Sequence, residues 1–245
     1  MRLTKLTFLL LLLAAKQLIA QNDIARWAFT DSSEMQAIRF YHAATGNNAR
    51  IYTGLLRQNY SLQIQGRPYF DTSVYMPANV VYQQLQYENI PVLYDMFTQT
   101  LITLLPGNMG VQLLPDKTST FDIGQHHFIR LDSGNAILPK APSGFYEILL
   151  QGKKISAYVH RRVIIEEKIT DRLEQKFVSV DKYYLTRNGQ VDTYTSWRGL
   201  PKLLGITRGR MRRQLAANGI DPKLNPDMAI RAILQYYDDQ NPATP

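Results

Sequence analysis

The sequence predicts a mainly-β protein: an antiparallel sandwich or open barrel with a small C-terminal helical appendage, α+β overall. Three observations carry this. Short apolar runs recur at spacings of about ten residues between turn signals, the signature of sandwiches and barrels. One long stretch, Phe145 to Thr195, reads as consecutive strands and places Asn188-Gly189 between two of them. Both residues tolerate the positive φ of a type I′ turn, which makes this pair the strongest short-range hairpin signal. After Thr195 the apolar spacing turns helical. No strand–helix–strand alternation runs through the chain, which argues against a parallel α/β sheet.

Met1 to Ala20 reads as a secretory signal peptide. Arg2 and Lys5 give a positive start, Leu6 to Ala15 an apolar core, and Ala20 a small residue at the cut. The apolar run falls short of the roughly 20 residues a spanning helix needs, and Lys16 interrupts it. The expected product begins near Gln21, is exported, and is not transmembrane after cleavage. The chain has no cysteine, so neither disulfides nor a lipid-modified cysteine can form. A disulfide-free exported chain fits a bacterial periplasm, or an outer-membrane-associated place, better than an animal secretory route.

Residues 21–195 are expected to form the mainly-β domain, with a short helix before Ala44. Asp31-Ser-Ser-Glu34 resembles a capping box for that helix. From Ile51 the period becomes two. Tyr60, Leu62 and Ile64 alternate with polar neighbours and predict a strand. Val80 to Asn89 reads as one alternating run through Leu85 and Tyr87, and Ile90 to Phe97 and Leu101 to Leu105 follow as separate strands. Pro91 cannot donate to a ladder and belongs at a strand start or an edge. Val111 to Leu114, Phe121 to Ile123 and His127 to Leu131 come next. Phe145 to Leu150 turns at Gln151-Gly-Lys-Lys into one continuous run, Ile155 to Glu167. Phe177 to Val180, Lys182 to Arg187 and Val191 to Thr195 complete the set.

Residues 196–240 are expected to be helical. Thr195-Ser196 caps a first helix that runs to Leu204. Thr207 caps a second that runs to Ala217 and closes on Asn218-Gly219. Asn225-Pro226 opens a third, with Asn at the cap and Pro at the first helical position. Met228, Ile230, Ile233, Leu234 and Tyr237 form its apolar stripe. From Asp238 the chain should fray, with 241–245 a free tail.

Few residues carry chemistry. His126 and His127 are adjacent on a strand and point to opposite faces, so they cannot share one metal. His42 and His160 stand at no ligand spacing from them, and no metal or cofactor is expected. Asp132-Ser-Gly superficially resembles the aspartic-protease signature. That chemistry needs two close carboxylates, so a single copy would require a homodimer. Asn135 and Arg130 depart from the pattern, and Asp-Ser-Gly-Asn is an ordinary turn. A periplasmic hydrolase built on Asp132 is the alternative reading.

The charge lies elsewhere. The net charge of +8 falls by three, to about +5, once Arg2, Lys5 and Lys16 leave. Arg198, Lys202, Arg208, Arg210, Arg212 and Arg213 cluster with no acidic residue between Trp197 and Ile220. Such helices suggest DNA in a cytosolic protein, and the signal peptide argues against nucleic acid. The remaining reading is contact with an anionic membrane or glycan surface, or with an envelope protein. Arg208, Arg212 and Arg213 share roughly one side of the second helix, with Met211 and Leu215 turned toward the sheet.

Gly66-Arg-Pro-Tyr-Phe70, Pro91-x-x-Tyr94-Asp95, Gly144-Phe-Tyr-Glu147, Lys182-Tyr-Tyr-Leu185 and the Pro226-to-Asp238 ending together resemble a group of uncharacterised exported proteins of Bacteroidota. The resemblance covers most of the chain after the signal. It implies a periplasmic or outer-membrane-associated address and supplies no catalytic residue. The expected function is that of an exported, non-enzymatic binding or assembly protein of the cell envelope.

Overall fold

A computed structural model describes residues 50–105, 107–169 and 173–240. The signal peptide, the short helix before Ala44 and the 241–245 tail lie outside the described residues.

The described chain is mainly β. Eleven strands form one antiparallel sheet that does not close on itself. In chain order the strands are β1 (Leu55–Leu56), β2 (Met76–Tyr82), β3 (Leu85–Asp95), β4 (Thr100–Leu104), β5 (Gly110–Gln112), β6 (Thr118–Ile123) and β7 (His126–Leu131). They continue as β8 (Gly144–Gln151), β9 (Ile155–His160), β10 (Val163–Ile169), β11 (Leu173–Ser179), β12 (Lys182–Arg187) and β13 (Gln190–Tyr194). In space the main sheet runs β1-β5-β4-β3-β2-β6-β7-β8-β9-β12-β13, while β10 and β11 pair as a separate hairpin. Three helices follow: α1 (Leu200–Leu204), α2 (Arg208–Ala217) and α3 (Pro226–Gln240).

The sheet curls strongly. Tyr94 on β3 packs its ring against Phe121, Phe128 and Phe145 at 5.1, 5.3 and 5.9 Å, although three strands separate β3 from β8. Edge-to-face pairs of this kind add about 0.5–1.5 kcal/mol each beyond the area they bury. The curl is tied by Gln99, in the β3–β4 turn. Its amide nitrogen donates to the Met96 and Arg161 carbonyls, at 3.0 and 2.7 Å. Its carbonyl accepts from the Tyr94 hydroxyl and the Phe145 N–H, and lies 3.1 Å from His160 Nε2. Gly144 permits this crowding, because a Cβ there would stand 2.6 Å from His160 Nε2.

On the opposite face Tyr146, Tyr158 and Tyr184 bury against Leu131, Leu138 and Ala141. The loop that brings in Leu138 is built by Asn135, whose carbonyl accepts from the Ile137 and Leu138 N–H groups. The helices form a layer on the far half of the sheet rather than a body of their own. Ile230, Ile233 and Leu234 of α3, Met211 and Leu215 of α2, and Leu200 and Leu204 of α1 share one core with Ala157, Val159 and Leu185. Each fully buried side chain of the larger type contributes about 1.5–3 kcal/mol.

Several elements form as the sequence predicts. Asn188 and Gly189 take φ of 49° and 73° between β12 and β13. Thr207 caps α2 by accepting the Arg210 N–H, and Gly219 is left-handed just past its end. Helix α3 starts at Pro226.

Four expectations are corrected. Residues 60–64 make no strand; the Tyr60 hydroxyl instead donates to Asp95 at 2.6 Å, so this segment lies across the sheet. The run Val80 to Asn89 is broken by a hairpin turn at Gln83-Gln84, with φ of 52° and 63°, and its second part continues past Asn89, absorbed with φ of 52°, as the one strand β3. Pro91 keeps the edge position expected of it: it lies opposite Pro77 on the part of β3 that β4 does not reach, before pairing begins at Val92, so neither proline is asked for a ladder N–H. The run Ile155 to Glu167 breaks at Arg161-Arg162, where β10 leaves the sheet. Helix α1 starts at Leu200, not near Ser196, with no side-chain cap.

Nor does Asp238 fray. Its carboxylate accepts the N–H groups of Lys153, Lys154 and Ile155 at 2.8, 2.9 and 3.2 Å, and Lys154 Nζ donates to its carbonyl at 2.5 Å. Gly152 leaves the room, since a Cβ there would come within 2.4 Å of the carboxylate. Burial pushes the Asp238 carboxyl up, but the three N–H bonds outweigh it and hold it below the ordinary carboxylate range. Hydrogen bonds to a charged group contribute about 1.5–3 kcal/mol, so Asp238→Ala should lower unfolding free energy by about 2–3 kcal/mol in urea titrations at pH 7. Asp239→Ala, an exposed neighbour, should change it by less than about 0.5 kcal/mol. The Asp238 contribution is complete above its unfolded value of about 3.9 and fades as pH falls through the lower folded value.

Candidate functional site

The densest set of charges lies where the helix layer meets the curl. Arg161, at the end of β9, is only 5 % exposed and Glu147, on β8, is fully buried. Arg161 Nε and Nη2 both donate to Glu147 Oε2, at 2.8 and 2.6 Å. Its Nη1 reaches Asp181 at 2.8 Å, and Nη2 also reaches Asp227 on α3 at 2.6 Å. The second Glu147 oxygen accepts from Arg231 on α3 at 2.5 Å, and His126 Nδ1 lies 2.7 Å from it. The Tyr183 hydroxyl donates to the other Asp227 oxygen at 3.0 Å. Every arm of the guanidinium and both Glu147 oxygens are therefore engaged.

Burial alone would raise the Glu147 carboxyl. The bonds from His126 and Arg161 outweigh it and hold Glu147 below the ordinary range. The balance reverses at Asp181, where burial outweighs Arg161 and raises the carboxyl. Burial would lower Arg161, and its three carboxylates raise it instead. Three carboxylates thus meet two guanidiniums, with the His126 ring on the second Glu147 oxygen.

An open cleft of about 440 Å³ lies beside this network, walled by Tyr69, Phe70 and Phe177 as well as by His126, Arg161 and Asp227. His126 stands edge-on to Phe70, ring centroids 4.9 Å apart. A histidine backed by a buried carboxylate has the geometry of an oriented base. Among the described residues, no nucleophile bonds to its other nitrogen to make a nucleophile–base pair. Nor do the described residues contain a metal-binding group of three His, Asp or Glu.

The residues singled out from sequence are scattered. His126 bonds Glu147, while His127 pairs with Asp122 near the surface. Asp132 is 78 % exposed in its side chain, pairs with Arg130 at 3.2 Å, and accepts from Asn135 within the turn. Arg208, Arg212 and Arg213 all lie on α2 and are all exposed, as is Arg210. Met211 and Leu215 of the same helix are buried in the core.

The network members Glu147, Arg161, Asp181, Asp227 and Arg231 were not anticipated. Two carried a signal. Glu147 sits in Phe-Tyr-Glu-Ile-Leu and Arg161 follows Tyr-Val-His, both inside apolar strand runs where an ion is stable only when paired. Which charges pair cannot be read from spacing, because the partners are 14 to 84 residues apart.

No family model, curated protein or solved structure matches the chain.

Proposed function

We propose that the chain is an exported, non-enzymatic binding or assembly protein of the cell envelope, and that α2 carries its contact with an anionic membrane surface. One observation carries this reading. Helix α2 is anchored by Met211 and Leu215 and presents Arg208, Arg210, Arg212 and Arg213 to solvent, in a stretch of 24 residues with no carboxylate, Trp197 to Ile220. A solvated helix balances its charges with i,i+4 acid–base pairs, and this one has none to use. The leucine-rich start of the sequence supports export. No helix among the described residues is long and apolar enough to cross a membrane.

The test is co-sedimentation with phosphatidylglycerol vesicles. Each basic residue near an anionic surface contributes about 1 kcal/mol, screened by salt. Arg208→Gln, Arg212→Gln and Arg213→Gln combined should weaken association by about 3 kcal/mol at low salt and little at high salt, with unfolding free energy unchanged. Equal sedimentation of wild type and triple variant at both salts would leave the arginines as a solvated face.

A further inference from the structure

A second basic feature is concave, and it lies at the β8–β9 and β12–β13 turns rather than on α2. A pocket of about 320 Å³ opens between these turns and the loop at Ile137 and Pro139. Its cations are Lys153, Lys154 and Arg187, and no Asp or Glu lines it. The Ser156 and Thr186 hydroxyls and Asn188 add polar groups, while Ile137, Pro139 and Val191 give an apolar wall.

The cationic side is held in place from behind. The Asp238 carboxylate fixes the Lys153 and Lys154 backbone, and Lys154 Nζ is bonded to the Asp238 carbonyl. Arg187 Nη1 donates to the Tyr237 hydroxyl at 3.1 Å. Asp238 offsets one positive charge from outside the pocket, so the three cations leave a surplus of two. Lys153 is exposed and bonds to no other side chain among the described residues. Its ammonium is therefore the group free to meet a ligand. Arginine and lysine at fixed spacing recognise oxyanions, and a mixed polar and apolar wall of this volume suits a small ligand body.

We propose that this pocket is a binding site for an oxyanion ester, a phosphate or sulfate carried on a body the size of one sugar ring. The charged group would meet Lys153 and Arg187, and the ring would lie against Ile137, Pro139 and Val191. The ester could be free in solution or be a lipid head group, and the site does not depend on α2.

The experiment is titration of ¹⁵N-labelled protein, read by amide shifts, with inorganic phosphate, glucose 1-phosphate, glucose, and phosphatidylglycerol vesicles. The expected result is saturable shifts confined to residues 152–156 and 186–191. Glucose 1-phosphate should bind at least threefold tighter than inorganic phosphate, and glucose should not bind. Lys153→Glu should weaken glucose 1-phosphate binding at least tenfold with an unchanged melting temperature, whereas Lys223→Gln, an exposed cation outside the pocket, should leave it intact. Pocket shifts with the free ester identify a soluble ligand; in the Arg208→Gln, Arg212→Gln, Arg213→Gln background, which removes the α2 contact, signals broadened by vesicles and restored by Lys153→Glu identify a head group. Either supports the site. Non-saturating shifts spread over all basic residues, or binding that Lys153→Glu leaves unchanged, would overturn it.

Discussion

Arg161→Met should cost about 3–5 kcal/mol of stability, the usual effect of removing one partner from a buried ion cluster. The substitution leaves Glu147, fully buried, facing only Arg231 and His126, and leaves Asp181 and Asp227 without their guanidinium. It also removes the link between the end of β9 and α3, so α3 should loosen first. Urea unfolding followed by tryptophan fluorescence and by far-ultraviolet dichroism measures the loss. The companion variant is Arg161→Met with Glu147→Leu. Removing both ions at once leaves fewer uncompensated charges and should recover a large part of the loss. A double variant no more stable than Arg161→Met alone would mean that Asp181 and Asp227 dominate the penalty.

Acid should weaken the protein well above the pH at which carboxylates titrate. His160 is buried, stacked on Tyr146 with ring centroids 4.6 Å apart, and next to Gln99. Burial first, then the charges of Arg162 and Lys182, push its imidazole down to about 4. The unfolded chain takes up this proton near pH 6.5 and the folded chain only near 4. Stability is therefore complete above about 6.5 and falls as pH drops toward 4, by about 3 kcal/mol in all. Asp238 and Glu147, with depressed carboxyls, weaken only at lower pH, and Asp181, raised by burial, acts in the opposite sense just above its unfolded value. His160 is therefore read between about 6.5 and 4 as the difference between wild type and a variant without the imidazole. His160→Gln keeps a donor toward Gln99 and cannot titrate, so its urea midpoint should be flatter across that window than that of wild type. A wild-type midpoint that is equally flat would contradict the buried, neutral imidazole.

The sequence is most informative where structure is local. Asn188-Gly189 specifies its hairpin through the φ angles of two residues. Thr207, Asn225-Pro226 and Gly219 mark helix ends through bonds spanning three or four residues. The orientation of α2 follows from Met211 and Leu215 being four apart, and the opposed directions of His126 and His127 follow from the strand period.

What is not legible depends on distant partners. The run Ile155 to Glu167 keeps strand composition throughout, yet it breaks because Arg161 finds Glu147, Asp181 and Asp227 elsewhere in the chain. Tyr60 to Ile64 has the alternation of a strand and is used instead to lay Tyr60 across to Asp95. Asp238 reads as the polar end of a helix, and its role is set by a turn far upstream. Leu85 to Asp95 reads as two strands because Asn89 is a turn residue by composition, while pairing on both sides of it keeps the ladder in one piece.

The Asp238 clasp also imposes an order of events. Lys154 and Asp238 are 84 residues apart. A ribosome delivers the chain from its N-terminus, so the β8–β9 turn must wait for five more strands and nearly all of three helices before its N–H groups find their carboxylate. Pairings this remote in sequence form late and slowly, because the intervening loop must be closed before the contact can hold it. Until α3 docks, a nascent chain has β8 and β9 in hand but lacks the group that fixes the corner between them. Helix α3 thereby acts as the closing step of assembly for a sheet whose own strands end 46 residues earlier than Gln240, at Tyr194.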